Sequence, residues 1–342
     1  MRWSRTVTVV GVHAEGEVGR VITGGALPPP GASMFERMSH LRDHDDGLRK
    51  LLLFEPRGAV NHSINLVTPA CAPSADFGLI IMESQFYVPM SGSNMICAVT
   101  AVLETGIVAM REPETKLVVD TPGGIVAVSA ACRDGRCERV SFRNVPSFVL
   151  HRDRMVEVGG FGSVAVDVAY GGMMYAIVDA AKLGFAIVPD EARDLVALGE
   201  RIKEAAATQL PAVHPENPEI HTVNQTLFAG PLAATANGKT ARNTVVISPG
   251  RLDRSPCGTG TSARLALLAA QGAIRPGETL DHVSIIGSHF FGTVEEATRA
   301  GNLPAVINRI SGRGFVTSIA QYGLDPADPY PEGFTVPDLW SG

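Results

Sequence analysis

Two stretches of this sequence repeat one pattern, and the repeat constrains the fold more than any other feature. Ser91–Gly106 and Cys257–Gly272 align without a gap. Each begins with a small nucleophilic residue, a glycine and a hydroxyl residue, continues as an apolar run, and stops at a glycine, which is typical of a helix C-terminus. The pattern predicts helices over Asn94–Thr105 and Gly260–Gln271. Because neither helix has a polar face, each is predicted to lie at the centre of its own half of the chain.

Most of the remaining sequence consists of short β-branched runs separated by Gly, Pro or Asp turns, which is typical of strands. Their close spacing favours mostly antiparallel sheet over βαβ winding. An Asp-Gly pair between Cys132 and Cys137 indicates a hairpin turn. The predicted strands are Thr6–Val12, Val18–Thr23, Ile64–Thr68, Phe77–Met82, Lys116–Asp120, Ile125–Ala131, Ser163–Val168, Tyr175–Val178, Asn243–Ile247 and Val283–Ile286.

Two further helices are predicted at Met34–Arg42 and Glu191–Thr208. The resulting fold class is α/β (α+β), with two pseudo-symmetric halves, each a mostly antiparallel β-structure around a central helix. Residues 1–150 are predicted to form the N-terminal half and residues 151–311 the C-terminal half, because an Asn-Val-Pro segment interrupts the strand pattern near that boundary. The C-terminal tail, residues 312–342, is predicted to pack on the N-terminal half.

The composition argues against several classes of function. A formal net charge of -6 leaves no broad basic surface, which nucleic-acid binding requires. The apolar runs are far shorter than the about 20 residues of a membrane span, and the N-terminus lacks the apolar stretch of a secretory signal. Five cysteines are too few for a disulfide scaffold in 342 residues. We therefore expect a cytoplasmic protein with neither nucleic acid nor membrane as a partner.

Cys257 begins the second apolar helix, where the sequence favours acid–base chemistry. The N–H groups and the dipole at a helix N-terminus favour a bound carboxylate. The same field lowers the pKa of a first-turn cysteine, which predicts a thiolate near neutral pH. Gly258 and Gly260 allow close approach of a ligand, and Thr259 and Thr261 offer hydroxyl donors. A base beside a carboxylate site is what removal of an amino acid α-hydrogen requires. The alternative is a buried, inert Cys257 with glycines that only shape a turn.

The segment Asp253–Ala263 resembles the second catalytic motif of the proline racemase family, which includes proline racemases, 4-hydroxyproline 2-epimerases and trans-3-hydroxy-L-proline dehydratases. The resemblance extends over nearly the whole chain, through His13–Arg20, Glu55–Gly58, Asn144–Pro146 and Ser311–Phe315. It implies two α/β halves of the diaminopimelate-epimerase type, with the active site in the cleft between them. It also implies a homodimer that uses no metal and no organic cofactor.

The resemblance assigns roles to four residues of the second motif. Cys257 corresponds to the second catalytic cysteine of the family. Asp253 corresponds to the carboxylate that receives the ring ammonium of a proline-like substrate. Gly258 and Thr259 correspond to backbone and hydroxyl groups that contact the substrate carboxylate.

The first helix start departs from the family pattern. Racemases and epimerases typically carry Cys-Gly-His there, whereas this chain has Ser91, Gly92 and Ser93. Gly92 and Ser93 still correspond to substrate-binding positions, and Ser91 to the catalytic one. A two-base racemase needs an acid on one face of the α-carbon and a base on the other, and a serine hydroxyl is much less acidic than a thiol. A dehydratase can use one base, because the 3-hydroxyl group leaves once the α-proton is gone.

The sequence therefore predicts a lyase that dehydrates trans-3-hydroxy-L-proline to Δ1-pyrroline-2-carboxylate, with Cys257 as the base and 4-hydroxyproline 2-epimerase side activity. One alternative is an isomerase, a 4-hydroxyproline 2-epimerase or proline racemase-type enzyme, in which Ser91 serves as the second acid. Another is a catalytically silent amino-acid-binding protein that kept the site after losing one thiol.

Three weaker patterns are not interpreted as sites. His40–Asp46 contains metal-ligand residue types but is interpreted as a solvated, charged helix end. Cys132 and Cys137 lack the second pair that a zinc site of this kind needs. His214 and His221 lie in a polar loop and are interpreted as solvated.

Overall fold

Strands dominate the secondary structure. The computed structural model describes residues 3–236, 238–248 and 250–340. Over these ranges the helices are α1 Met34–His44, α2 Gly47–Leu53, α3 Gly92–Glu104, α4 Ala192–Gln209 and α5 Gly258–Ala270. The strands are β1 Arg5–Ala14, β2 Glu17–Gly24, β3 His62–Thr68, β4 Phe77–Met82, β5 Tyr87–Val88, β6 Glu114–Thr121, β7 Gly124–Arg133, β8 Arg136–Arg143, β9 Ser147–Val158, β10 Gly162–Tyr170, β11 Met174–Asp179, β12 Gln225–Ala229, β13 Ala233–Thr235, β14 Gly238–Ile247, β15 Arg251–Leu252, β16 Thr279–Val283, β17 His289–Ala300, β18 Leu303–Gly312 and β19 Gly314–Leu324. Within the described ranges, no helix is both long enough and apolar enough to span a bilayer.

Contacts divide the chain into two compact units. The first comprises residues 1–142 with residues 312–342, and the second comprises residues 143–311. The predicted boundary after residue 150 falls inside β9. The C-terminal residues lie on the first unit, where Arg57 forms an ion pair with Asp328 at 2.7 Å and Phe54 packs edge-on against Trp340.

The two units share one strand order. In the first unit the order is β19-β1-β2-β3-β4-β6-β7-β8, with parallel pairing only at β2-β3 and β4-β6. In the second unit it is β9-β10-β11-β12-β14-β16-β17-β18, with parallel pairing only at β11-β12 and β14-β16. The antiparallel and parallel strand pairings occur in the same order in both units. The repeat predicted from two helix starts therefore extends over the whole architecture.

Helices occupy equivalent places in that order, because a parallel pair needs a crossover connection. The chain crosses from β4 to β6 through α3 and from β14 to β16 through α5. All residues of α3 from Gly92 to Leu103 are buried, and so are those of α5 from Gly258 to Leu268 except Arg264. The prediction of two buried central helices is confirmed, with the observed helices beginning two residues earlier than predicted.

Every predicted helix and all but one of the predicted strands lie in observed elements, but the helix α2 and the strands β5, β9, β12, β13, β15, β17, β18 and β19 were not predicted. Val283–Ile286 is wrong as a strand, because β16 ends at Val283. There the N–H of Ser284 donates to the carbonyl of Ser288 at 2.9 Å, closing a turn in which Gly287 has a φ of 79°. The helix α2 was not predicted, since its seven residues are too few to show an amphipathic pattern.

Candidate active site

Cys257 is the N-cap residue of α5, and its backbone lies at a φ of 66° and a ψ of 115°. A non-glycine residue rarely adopts a positive φ, and such strain concentrates at functional sites. The sulfur accepts a hydrogen bond from the backbone N–H of Gly260 over 3.4 Å. A Cβ atom on Gly260 would lie 3.2 Å from that sulfur. Glycine at residue 260 therefore leaves the space in which the sulfur lies over the helix N-terminus.

Tyr175 is the second contact of the sulfur, and no sequence motif identified it. Its hydroxyl oxygen lies 3.3 Å from Cys257 Sγ and 2.6 Å from Thr259 Oγ1. Tyr175 is fully buried and belongs to β11, which was predicted only as a strand. The three side chains therefore form one buried polar group at the start of α5.

The predicted thiolate is wrong for this structure. Burial, followed by the negative charge of Asp253, raises the pKa of Cys257 to about 12. Hydrogen bonds from Tyr175, Gly260 and Thr259 lower the pKa, but they do not offset these effects. The helix N-terminus therefore stabilises a thiolate without making it the resting form near neutral pH.

Asp253 is linked to the cysteine backbone through Ser255, another residue that sequence reasoning did not single out. Asp253 Oδ1 accepts hydrogen bonds from both the backbone N–H and the hydroxyl of Ser255, each at 2.8 Å. Ser255 Oγ in turn accepts from the N–H of Cys257 at 3.1 Å. Asn243 donates to the carbonyl of Pro256 at 2.8 Å. These bonds fix the turn that gives Cys257 its unusual backbone conformation.

His282 lies close to the start of α5, but its role is structural and not acid–base. Its Nδ1 lies 2.8 Å from Thr261 Oγ1, and Thr261 Oγ1 also donates to the carbonyl of Cys257 at 2.7 Å. Burial, with a smaller effect of the positive charge of Arg264, lowers the pKa of His282 to about 3. The ring is therefore neutral near pH 7, and it braces the first turn of α5.

In the first unit, Ser91 is the N-cap residue of α3 and has an ordinary extended backbone with a φ of -146°. Its hydroxyl oxygen accepts a hydrogen bond from the Asn94 side chain at 3.0 Å and lies 3.5 Å from Ser93 Oγ. Asn94 in turn accepts from the Asn65 side chain at 2.8 Å. A hydroxyl group that accepts a hydrogen bond is polarised toward donating its own proton.

The predicted site residues thus form two groups, each at the start of a buried helix. The second unit brings together Asp253, Cys257, Gly258 and Thr259. The first unit brings together Ser91, Gly92 and Ser93. Each group combines a potential proton-transfer residue with backbone N–H groups that suit a carboxylate.

The patterns that were not interpreted as sites have structural explanations, with one correction. Cys132 and Cys137 are paired across the β7–β8 hairpin as buried free thiols. His221 is exposed, as predicted. His214 is not simply solvated, because its ring packs edge-on against Tyr170 with centroids 4.7 Å apart, and burial lowers its pKa. Among the described residues, no group of three or more His, Cys, Asp or Glu is arranged to hold a metal ion.

Comparison with known proteins agrees with this geometry. A family model described as proline racemase matches residues 9–335. A hydroxyproline epimerase from Agrobacterium vitis, solved with bound trans-4-hydroxy-L-proline, is 41% identical with a TM-score of 0.91, over 99% of this chain and 97% of that chain. A probable proline racemase from Agrobacterium radiobacter, solved with bound carbonate, is 42% identical with a TM-score of 0.89, over 98% of each chain. A PhzF-family phenazine biosynthesis protein from Bacillus anthracis, 10% identical with a TM-score of 0.60 over 93% of this chain and 99% of that chain, shares the fold alone. The predicted fold class is confirmed.

Proposed function

Because the chain belongs to the proline racemase family, we propose that it is an epimerase that inverts the α-carbon of 4-hydroxyproline, with Cys257 as a proton-transfer residue. The observation that carries the proposal is the Cys257 sulfur at the N-terminus of a buried helix, where it accepts a hydrogen bond from Gly260 and lies 3.3 Å from the Tyr175 hydroxyl oxygen. The sequence alone favoured dehydration as the main reaction. The relative that was solved with trans-4-hydroxy-L-proline supports epimerisation instead.

Binding of the substrate prepares the thiol in this proposal. The substrate carboxylate accepts hydrogen bonds from the first N–H groups of α5 and lies beside the Thr259 hydroxyl group. Its ring ammonium pairs with Asp253, whose charge is the second cause of the raised pKa of Cys257. Pairing offsets that charge, so the sulfur ionises more easily when the substrate is present.

Proton abstraction then follows from the charges at the site. The thiolate of Cys257 takes the α-proton, and the electrons of the Cα–H bond delocalise into the carboxylate. The helix N-terminus stabilises the negative charge that accumulates there. No redox step is involved.

Completion of epimerisation needs a proton on the opposite face of the α-carbon, and we assign its donation to Ser91. The side-chain amide of Asn94 donates to Ser91 Oγ, which favours release of the serine proton and stabilises the oxygen left behind. A serine remains a weaker acid than the cysteine typical of the family. We therefore expect epimerisation slower than with two thiols.

Dehydration of trans-3-hydroxy-L-proline is the second candidate, and Ser91 is the observation that favours it. Both reactions share abstraction of the α-proton by Cys257. The 3-hydroxyl group then leaves as water with a proton supplied by the Cys257 thiol or by solvent, and the enamine tautomerises to Δ1-pyrroline-2-carboxylate. This route needs no strong acid on the opposite face of the α-carbon.

Incubation in heavy water separates the candidates. The protein is given trans-4-hydroxy-L-proline or trans-3-hydroxy-L-proline, and deuterium uptake at Cα, inversion and imine formation are followed. Inverted, deuterated 4-hydroxyproline supports the epimerase, whereas imine from the 3-hydroxy isomer supports the dehydratase. Cys257→Ala serves as the control and should lose both signals. Absence of deuterium exchange at Cα with every proline analogue would overturn both proposals. The remaining interpretation would then be a catalytically silent amino-acid-binding protein.

A further inference from the structure

Tyr175 carries a hydroxyl group that packing does not require. Its ring lies in an apolar cluster with Ala169, Ile177 and Leu227, where a phenylalanine would fill the same space. The hydroxyl is fully buried, and burying an unsatisfied hydroxyl group is unfavourable. Its polar contacts are Cys257 Sγ at 3.3 Å and Thr259 Oγ1 at 2.6 Å. The phenol therefore connects the thiol to the hydroxyl group assigned to the substrate carboxylate.

The Tyr175 and Thr259 hydroxyl groups and the Cys257 thiol each carry one hydrogen, which restricts the directions of the hydrogen bonds among them. When Cys257 is a thiol, S–H donates to Tyr175, Tyr175 donates to Thr259, and the Thr259 hydrogen points to a third group. When Cys257 is a thiolate, Tyr175 donates to the sulfur, and the Thr259 hydrogen turns to Tyr175 or, over 3.7 Å, to the sulfur itself. A change in the charge of the sulfur therefore reorients the hydroxyl groups of Tyr175 and Thr259, and no covalent bond of either residue is made or broken.

We propose that Tyr175 is a positioning residue that couples the protonation state of Cys257 to the hydrogen-bond direction of Thr259. The inference rests on the proposed function, in which Cys257 accepts the α-proton and Thr259 contacts the substrate carboxylate. As the thiolate becomes a thiol, the Thr259 hydrogen is released from Tyr175. It becomes available to the carboxylate at the moment when that group gains negative charge. Such a bond is stronger in the transition state than in the ground state, and it therefore accelerates the reaction.

Thiol reactivity tests the coupling without any substrate. Methyl methanethiosulfonate labels thiolates, and peptide mass spectrometry reads the rate at Cys257 alone. Tyr175→Phe removes the donor to the thiolate, so labelling at a fixed pH should slow about tenfold, equivalent to one pH unit in the thiol pKa. Tyr170→Phe is the matched control, because Tyr170 is a buried tyrosine of β10 without a contact to Cys257 in the described residues. Equal rates in the two variants would overturn the inference.

Kinetics with hydroxyproline supply the second readout. Tyr175→Phe should lower kcat about tenfold or more with little change in KM, and it should move the rise of kcat with pH upward. A purely structural role would lower thermal stability without that pH shift. If labelling slows but neither hydroxyproline is turned over by the unsubstituted protein, the proposed function fails while the link between Tyr175 and Cys257 stands.

A second substitution covers the case in which Tyr175→Phe does not fold. Site-specific 3-fluorotyrosine at residue 175 keeps the ring and the hydroxyl group but makes the hydroxyl a stronger donor. Labelling of Cys257 should then be faster than in the unsubstituted protein. An unchanged rate in this folded protein would overturn the inference.

Discussion

The backbone N–H of Gly260 donates to the sulfur of Cys257 over 3.4 Å, and a Cβ atom on Gly260 would approach the same sulfur to 3.2 Å. The donor and the space for its acceptor therefore come from one residue. Because 3.2 Å is closer than ordinary van der Waals contact, a side chain at residue 260 requires a shift of a few tenths of an ångström in Cys257 or in Leu227, whose Cδ1 is equally close.

Gly260→Ala should separate activity from stability. We expect kcat/KM to fall at least about tenfold, since small displacements of catalytic groups are costly. Stability should change by only about 1 kcal/mol, because alanine favours a helix by a similar amount. Urea unfolding and steady-state kinetics measure the two effects. Activity equal to that of the unsubstituted protein would contradict the role given to Gly260.

Cys257→Ser should change how stability depends on pH. The folded pKa of Cys257 is raised from 9.0 to about 12, so between these values the folded chain holds a proton that the unfolded chain has lost. The contribution of protonated Cys257 to the free energy of unfolding is complete below the unfolded pKa. It is lost as pH rises from the unfolded to the folded pKa, by about 1.4 kcal/mol per pH unit. Serine does not titrate there, so the variant should lose stability less steeply. Urea unfolding at a series of alkaline pH values tests this, and parallel curves would contradict it.

Asp253→Asn should have opposite effects on the thiol and on the substrate. Loss of the carboxylate charge lowers the pKa of Cys257, so labelling by methyl methanethiosulfonate should speed up about tenfold. The amide oxygen can still accept from Ser255, which preserves the turn. KM for hydroxyproline should rise, because the ring ammonium loses its partner. Slower labelling would show that the Asp253 charge does not act on the sulfur.

Ser91→Cys should raise the rate of epimerisation, because a thiol is a better acid than a hydroxyl group. Asn94→Asp should lower the same rate, since it removes the donor to Ser91 Oγ while keeping the acceptor for Asn65. Chiral chromatography of 4-hydroxyproline measures both. Deuterium exchange at Cα without inversion depends on Cys257 alone. Its rate should therefore change less in both variants than the rate of inversion does. If Ser91→Cys leaves inversion unchanged, the role assigned to Ser91 is wrong.

The fold was predictable where local pattern decides it. The ungapped alignment of Ser91–Gly106 with Cys257–Gly272 identified both central helices, because helix starts and glycine stops are local signals. The common strand order was not predicted, since pairing such as β14 with β16 depends on contacts that are distant in sequence. The error at Val283–Ile286 has the same origin, because a β-branched run cannot show that Ser284 closes a turn.

The position of the candidate residues at the two helix starts was predictable, but their electrostatics were not. Cys257 and Thr259 follow from one motif, whereas Tyr175 contacts the sulfur from 82 positions away in the chain. The expected thiolate rested on the helix dipole, which the sequence shows. Burial and the charge of Asp253 outweigh it, and only the folded environment reveals how deeply a sulfur is buried.

Each helix start depends on supports from its own unit, with Asn94 beside Ser91 and Tyr175 beside Cys257. A duplicated scaffold of this kind lets one copy accumulate substitutions while the other keeps its chemistry. Serine at residue 91 and cysteine at residue 257 are the N-cap residues of the two equivalent helices. A substitution at one helix start can therefore change the stereochemical preference of the reaction while the residues that support the other helix start stay the same.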